Sequence, residues 1–314
     1  MSKRTKILSF WGKGGVGKTT CAASVAVFLA SRGFRTFLIT SDPTPSLSDI
    51  LGVKVGANIT RIEPFNLEAI ELDEDTVVKM WKEKFGDEVY RVVSSFLPID
   101  RSIIDYVAGA PGIGDEFMLA YIFDLYKSGK YDFIIWDTAP AGGTLRLLRL
   151  EEQLYKHLGD AAKLYLSLKS FFDRIRRGGR DVLEIINDWR RLAEDVLEMM
   201  SSKDFVAHII AIPEWLSFSQ TGRILKELNE FKVTVGKLII NQIIQVKSPH
   251  DSLLADRARI HEKYVKMFRE TYGRFLDIML IPVQPYEIKG VDALIRFSIN
   301  LKEILNHKLT QQRS

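Results

Sequence analysis

The stretch that most constrains the fold is "FWGKGGVGKTTC", residues 10–21. It fills the pattern G-x-x-x-x-G-K-[ST] with Gly12, Gly17, Lys18 and Thr19. Glycines let backbone N–H groups turn inward to cradle phosphate oxygens. Lys18 is then expected to reach the β- and γ-phosphates, and the Thr19 hydroxyl to ligate Mg²⁺. The helix that follows adds its positive N-terminal end. Such a loop works only between a strand and a helix. Ile7–Trp11 is a short apolar run and reads as a buried strand. Thr19–Ser31 is Ala-rich and Pro-free, reads as a helix, and closes at Arg32-Gly33. Lys13 is a second lysine, one residue into a loop whose pattern asks for one.

The rest of the chain alternates short apolar runs with longer helical stretches. Strands are expected over Lys6–Trp11, Thr36–Thr40, Leu67–Ile70, Phe133–Trp136, Phe205–Ile212, Lys237–Asn241 and Ile278–Ile281. Most are continuous apolar runs without alternation, as in a parallel sheet buried on both faces. This predicts an α/β fold with a doubly wound, mostly parallel sheet. Asp73–Lys127 and Leu145–Asp204 hold no good strand and read as helical insertions that pack together. One apolar stripe runs through Leu154, Leu158, Ala161, Tyr165, Leu168, Phe172 and Ile175. Another runs through Leu183, Ile186, Leu192, Val196, Met199 and Met200. The nucleotide-binding domain is thus expected over 1–72, 128–144 and 205–314, and an inserted helical subdomain over 73–127 and 145–204.

Composition narrows the function. The 314 residues are 46% hydrophobic and 27% charged, with a net charge of +4. That charge is too small over this length to argue for a nucleic-acid partner. No apolar run approaches the roughly 18 residues of a transmembrane helix, and no signal peptide precedes the loop. A cytoplasmic protein is expected. Cys21 is the single cysteine, which excludes an internal disulfide and a cysteine-based zinc site or iron–sulfur cluster within one chain. It reads as a small packing residue. The charge run "RIRRGGR", 174–180, reads as a solvated loop, or as a contact for an acidic partner or membrane surface.

Two further segments carry nucleotide chemistry. "ITSDPTPSLSDILG" follows the second strand and puts Asp42 and Asp49 at the carboxyl end of the sheet, where ligands bind in such folds. Asp42 is a candidate for orienting the attacking water. Asp49 is either a second carboxylate near the site or a surface residue of a short helix, Ser46–Leu51. "YDFIIWDTAPAGGTLRLL" is a buried strand ending in Asp137, the Walker-B arrangement that holds Mg²⁺ directly or through water. Asp137 as a helix N-cap is the alternative, and the two roles are compatible. The small-residue loop Ala139–Gly143 is placed to sense the γ-phosphate.

Together, "GKGGVGKTT", "DPTPSLSD" and "DTAPAGGTLRLL" resemble the arsenical pump-driving ATPases, a family that includes the guided-entry ATPases of tail-anchored membrane proteins. "IPEWLSFSQTGRILKEL", "LIINQI" and "IPVQPYEIKGVDAL" resemble later family segments in order, so the likeness spans nearly the whole chain. It implies ATP and Mg²⁺ bound by the loop residues Gly12, Lys13, Gly14, Gly15, Val16, Gly17, Lys18, Thr19 and Thr20. It implies Asp42 and Asp137 beside the metal through water, with Asp42 catalytic. Asn241 resembles the side chain that reads adenine, and Pro282, Val283, Gln284, Pro285, Tyr286 and Glu287 resemble the loop beside the base. Lys13 and Glu214 resemble residues that reach the partner's nucleotide across a homodimer. "APGIGDEFM" (110–118) resembles the approach to the client-binding helices.

The likeness implies a homodimeric ATPase that closes on two nucleotides. Closure would form an apolar groove for a client transmembrane helix, with a transient visit to a membrane receptor. Gly143 stands where the family often has histidine. The span 246–272 lacks the Cys-x-x-C that binds zinc in eukaryotic members, and the three-cysteine metalloid site is missing too. The pattern is nearest to prokaryotic, archaeal-type guided-entry proteins. Two alternatives stand beside it: the motor of an arsenite or antimonite pump, and a membrane-cycling positioning ATPase using the stripe Leu294, Phe297, Leu301 and Leu305. Core packing is the better account of that stripe.

Overall fold

The computed structural model describes residues 4–42, 46–110, 112–139, 181–245, 252–302 and 304. Its centre is an eight-stranded sheet: β1 (Lys6–Trp11), β2 (Thr36–Thr40), β3 (Thr60–Ile62), β4 (Leu67–Glu71), β5 (Phe133–Asp137), β6 (Phe205–Ala211), β7 (Thr234–Ile243) and β8 (Asp277–Pro282). The order is β3-β4-β2-β5-β1-β6-β7-β8. Every neighbouring pair is parallel except β3–β4. The fold is α/β with a mostly parallel sheet, as the apolar runs predict. β1 lies between β5 and β6, so the chain turns off its central strand straight into the phosphate loop. In open parallel sheets, crevices beyond the carboxyl ends of central strands are where ligands sit.

The described helices are α1 (Lys18–Ser31), α2 (Leu47–Leu51), α3 (Glu74–Ser94), α4 (Ile103–Ala108), α5 (Ile113–Ser128), α6 (Val182–Ser201), α7 (Trp215–Glu230), α8 (Ser252–Tyr272) and α9 (Val291–Ser298). Helix α1 is Ala-rich because it is enclosed. Cys21, Ala22, Ala23, Val25, Ala26 and Val27 are fully buried against Leu8, Phe10, Ile135 and Ile210 of the sheet. Leu294, Phe297 and Leu301 join the same core, so that stripe is packing surface; Leu305 lies outside the described residues. No described helix is long and apolar enough to cross a membrane.

The described residues within Met1–Leu72, Leu125–Leu145 and Ser201–Ser314 gather in one compact unit. Those within Asp73–Asp124 and Arg146–Met200 gather in a second. Regular structure in the second unit is helical among the described residues. Asp73 caps α3 by accepting the Thr76 N–H at 2.7 Å. Val182, Ile185, Ile186, Ala193, Val196, Met199 and Met200 form the buried stripe of α6. The 154–175 stripe and "RIRRGGR" lie outside the described residues. Trp81, Phe85, Phe117 and Trp189 line an apolar cavity of about 180 Å³ in this unit.

One buried group makes the sheet sensitive to pH. His208 of β6 is 3% exposed and takes the Lys237 N–H on Nδ1 at 3.2 Å, where the β6–β7 register slips. A Cβ at Gly236 would lie 2.6 Å from the imidazole, so glycine is required there. Burial, then the Lys237 charge, pushes the His208 pKa down to about 3 from 6.5. The unfolded chain therefore binds a proton that the folded one refuses. This stability is present above about pH 6.5 and is lost, at about 1.4 kcal/mol per pH unit, as pH falls toward about 3. The difference in urea-unfolding stability between the wild type and His208→Gln is expected to change with that slope across this window, since groups common to both cancel. Equal slopes would exclude His208 as its source.

Candidate functional site

β1 ends at Trp11, and the loop begins by passing tightly under β6. A Cβ on Gly12 would lie 2.3 Å from the Ile210 carbonyl oxygen, so the first glycine of the pattern is a packing requirement. Gly15 and Gly17 have φ of 78° and 93°, the left-handed conformation that glycine adopts without strain. The loop is fastened from behind by two adjacent residues of β7. Asn241 Nδ2 donates to the Val16 carbonyl at 3.0 Å, and Gln242 Nε2 to the Gly15 carbonyl at 3.3 Å. Gln242 itself has a φ of 56°. A Cβ on Gly17 would meet the Asn241 amide at 2.6 Å.

A cleft of about 500 Å³ opens in front of this loop. Gly14, Gly15, Gly17, Lys18, Thr19, Thr20 and Asp42 line one side. Ser46, Asp49 and Ile50 line it from α2, and Gln242, Glu287, Ile288 and Lys289 close the far side. Asp49 therefore belongs to the cleft. Of the segment Pro282–Glu287, only Glu287 is among the described lining residues. Val283 is half exposed, Gln284 Nε2 donates to the Pro282 carbonyl at 2.6 Å, and the Tyr286 ring lies under the Arg296 guanidinium at 4.1 Å. Asn241 is buried with its amide on the Val16 carbonyl. Gln242, Ser46, Ile50, Ile288 and Lys289 do not stand out in the sequence, since nothing local marks a residue that borders a cleft formed by distant parts of the chain.

Asp137 is the electrostatic centre. It is fully buried at the end of β5, and its Oδ2 accepts from Thr19 Oγ1 at 2.7 Å and Thr40 Oγ1 at 3.1 Å. The Thr40 hydroxyl also accepts the Asp42 N–H at 3.1 Å, which ties Asp42 to Asp137 through one side chain. Burial pushes the Asp137 carboxyl up to about 6, against the pull of Thr19, Lys18 and Thr40. Its Oδ1 is buried and has no hydrogen-bond partner among the described residues. A hydroxyl whose proton is given to Asp137 turns its lone pairs outward. Thr19 lines the cleft and fits Mg²⁺, whereas Asp137 lies buried behind it, outside the described cleft lining, with its Oδ1 left for water.

Lys18 is 5% exposed, and burial lowers its pKa while Asp137 and then Asp42 raise it. Its Nζ donates to the Lys13 carbonyl at 3.3 Å. The Lys13 ammonium turns elsewhere and pairs with Glu214 of the same chain, just before α7. Neither Lys13 nor Glu214 is among the described cleft-lining residues. The two residues expected to serve a partner's nucleotide are thus held by one another. Ala139 is fixed by its N–H to Ser41 Oγ at 3.2 Å. The remainder of the Ala139–Gly143 loop lies outside the described residues.

Comparison with known proteins shows the family of the chain. Residues 5–303 match the family described as anion-transporting ATPase. Similar proteins include the ATPase ASNA1 homolog 1 of Paramecium tetraurelia, 29% identical over 302 residues, or 91% of this chain and 89% of that one. The ATPase get3 of Schizosaccharomyces pombe is 28% identical over 295 residues, 91% and 89% of the two chains. The putative arsenical pump-driving ATPase 2 of Aquifex aeolicus is 28% identical over 304 residues, 93% and 98%. The matched span takes in the phosphate loop, every described strand and the described lining of the cleft, and the chain belongs to the anion-transporting ATPase family.

Proposed function

We propose that the chain is a homodimeric ATPase whose closing and opening binds and releases the transmembrane segment of tail-anchored membrane proteins. The likeness to the ATPase get3 over nine-tenths of both chains carries this reading, joined to the family resemblance of "DPTPSLSD" and "DTAPAGGTLRLL". The apolar cavity between Trp81, Phe117 and Trp189 supports an apolar client site in the helical unit. The unit holding the sheet is the nucleotide-binding domain in this reading, and the other is the client domain. A client helix of about 20 residues buried at roughly 25 cal/mol per Å² is held by area alone, without a sequence code. The protein works in the cytoplasm and visits a membrane receptor transiently.

The loop N–H groups and Lys18 would bind the ATP phosphates, Thr19 would hold Mg²⁺, and Asp42 and Asp137 would meet the ion through water. The ion supplies positive charge against the β- and γ-phosphate oxygens. Asp42 orients the attacking water. Lys13 leaves Glu214 on closure and offsets transition-state charge at the partner's phosphates. Asn241 and the segment Pro282–Glu287 stand on the adenine side, and Glu214 reaches the nucleotide across the interface.

The name of the Aquifex aeolicus relative favours a second reading, a metalloid pump motor. Cys21 weighs against it, since the one thiol is buried and pushed up to about 12 by burial, then by Asp137. A thiol held protonated is a poor ligand for a soft metalloid. The decisive experiment is copurification with a tail-anchored protein, with and without its transmembrane segment. Capture is expected only with the segment and is released by hydrolysis. Capture that ignores the segment rejects the client reading, and turnover stimulated by antimonite would favour the pump.

A further inference from the structure

One buried carboxylate in the nucleotide-binding unit is used by none of these steps. Glu71 ends β4, directly in register with Thr40, and is 8% exposed. Its Oε1 accepts from the backbone N–H of Ser46 at 2.5 Å and of Leu47 at 2.8 Å. Its Oε2 lies 3.4 Å from the Ser48 N–H and 3.0 Å from Ser48 Oγ. The Ser48 hydroxyl in turn accepts the Val55 N–H at 3.0 Å.

The arrangement is unusual in where the cap comes from. Helix α2 has a serine, Ser46, at its N-cap position, but that side chain makes no capping hydrogen bond. The N–H groups that a local cap would satisfy are met instead by a charged group from another strand. A carboxylate in this place is favoured both by the helix dipole and by charge-assisted hydrogen bonds. The other end of α2 is held as well, since the Gly290 N–H donates to the Ile50 carbonyl at 2.8 Å. α2 is therefore held at both ends beside the cleft. Ser46, whose hydroxyl lies 3.5 Å from Thr19 Oγ1, is at its phosphate end, and the Lys289–Gly290 turn is at the other.

We propose that Glu71 is the positioning residue of the ATPase site. It anchors Ser46–Ser48, and so sets the wall of the cleft that carries Ser46, Asp49 and Ile50 against Thr19 and its metal side. The inference rests on the ATPase reading of the cleft but not on the client.

The test compares Glu71→Ala and Glu71→Gln in the full-length protein, with phosphate release at saturating Mg-ATP as one readout. Affinity for fluorescent ADP without Mg²⁺ is the second, because that binding depends on the loop and Lys18. Glu71→Ala is expected to lose at least about tenfold in kcat while ADP affinity changes less than about twofold. Glu71→Gln keeps one acceptor oxygen for Ser46 and Leu47 and is expected to recover most of the loss. A cap that serves stability alone predicts that kcat, ADP affinity and unfolding midpoint fall together, and that result overturns the proposal. So does wild-type kcat in Glu71→Ala. If Glu71→Ala does not fold, Glu71→Asp replaces it: the charge is kept but withdrawn by one methylene, and an unchanged kcat there overturns the proposal too. A wild-type protein that releases no phosphate fails the ATPase reading instead, and is told apart by that control.

Discussion

Asp42→Asn is expected to bind ATP and hardly turn it over. The substitution keeps the shape of the side chain and leaves the Asp42 N–H on the Thr40 hydroxyl, so the backbone that places it is undisturbed. What is lost is a charged acceptor in the cleft for the proton side of the attacking water. Groups of that kind contribute about 10²- to 10⁴-fold to rate, and a fall in kcat within this range is expected. Binding changes little. The Asp42 charge helps keep buried Lys18 protonated, but Asp137 is the larger influence and remains. Phosphate release and ATP affinity measured on the same preparation separate these two effects. Normal turnover in this variant would remove Asp42 from the mechanism.

Lys13→Ala is expected to give a protein that closes on ATP and is inert, by about 10³-fold, the scale on which a cation supplied across an interface acts. Its fold is expected to be unchanged. The Lys13–Glu214 pair is a partly exposed ion pair, with Glu214 40% exposed, and such pairs contribute roughly 0–1 kcal/mol. The two variants together locate the action of the lysine. In a mixed dimer of Lys13→Ala and Asp42→Asn, a lysine that serves the partner's nucleotide leaves one intact site. That site has Asp42 from the first chain and Lys13 from the second. A lysine that serves its own nucleotide leaves none. Recovery of turnover on mixing is therefore the expected result. A mixture that exchanges subunits and stays inactive would return Lys13 to its own nucleotide.

Much of the fold is legible in the chain because the sheet is buried on both faces. β1, β2, β5, β6 and β8 announce themselves as apolar runs, and their observed bounds differ from expectation by no more than a residue at either end. The differences have local causes. β7 begins at Thr234, three residues before the expected start, because Gly236 looks like a break in a strand. The His208 ring occupies the place of its missing side chain. β3 is three residues long, antiparallel and on the sheet edge, too short to carry a periodic pattern. Glu71 stands in "AIELDEDT", where it looks like the first of a run of surface acids. Its burial depends on α2 lying over the end of β4, which no local pattern records.

The site divides along the same line. The phosphate loop, Asp42 and Asp137 could be named from sequence because their chemistry is carried by near neighbours: glycines for left-handed turns, a lysine and a threonine at the start of a helix, an acid at the end of an apolar strand. The pairing of Lys13 with Glu214, the amides of Asn241 and Gln242 under the loop, and the capping of α2 by Glu71 join residues 201, 225, 227 and 25 positions apart. Those distances in sequence are closed only by the order of strands in the sheet. The chain alone determined which groups are candidates for phosphate chemistry, since a residue type and its immediate neighbours set that. The tertiary structure alone decided which groups hold them in place, since hydrogen-bond partners are chosen by which strand ends come to lie side by side.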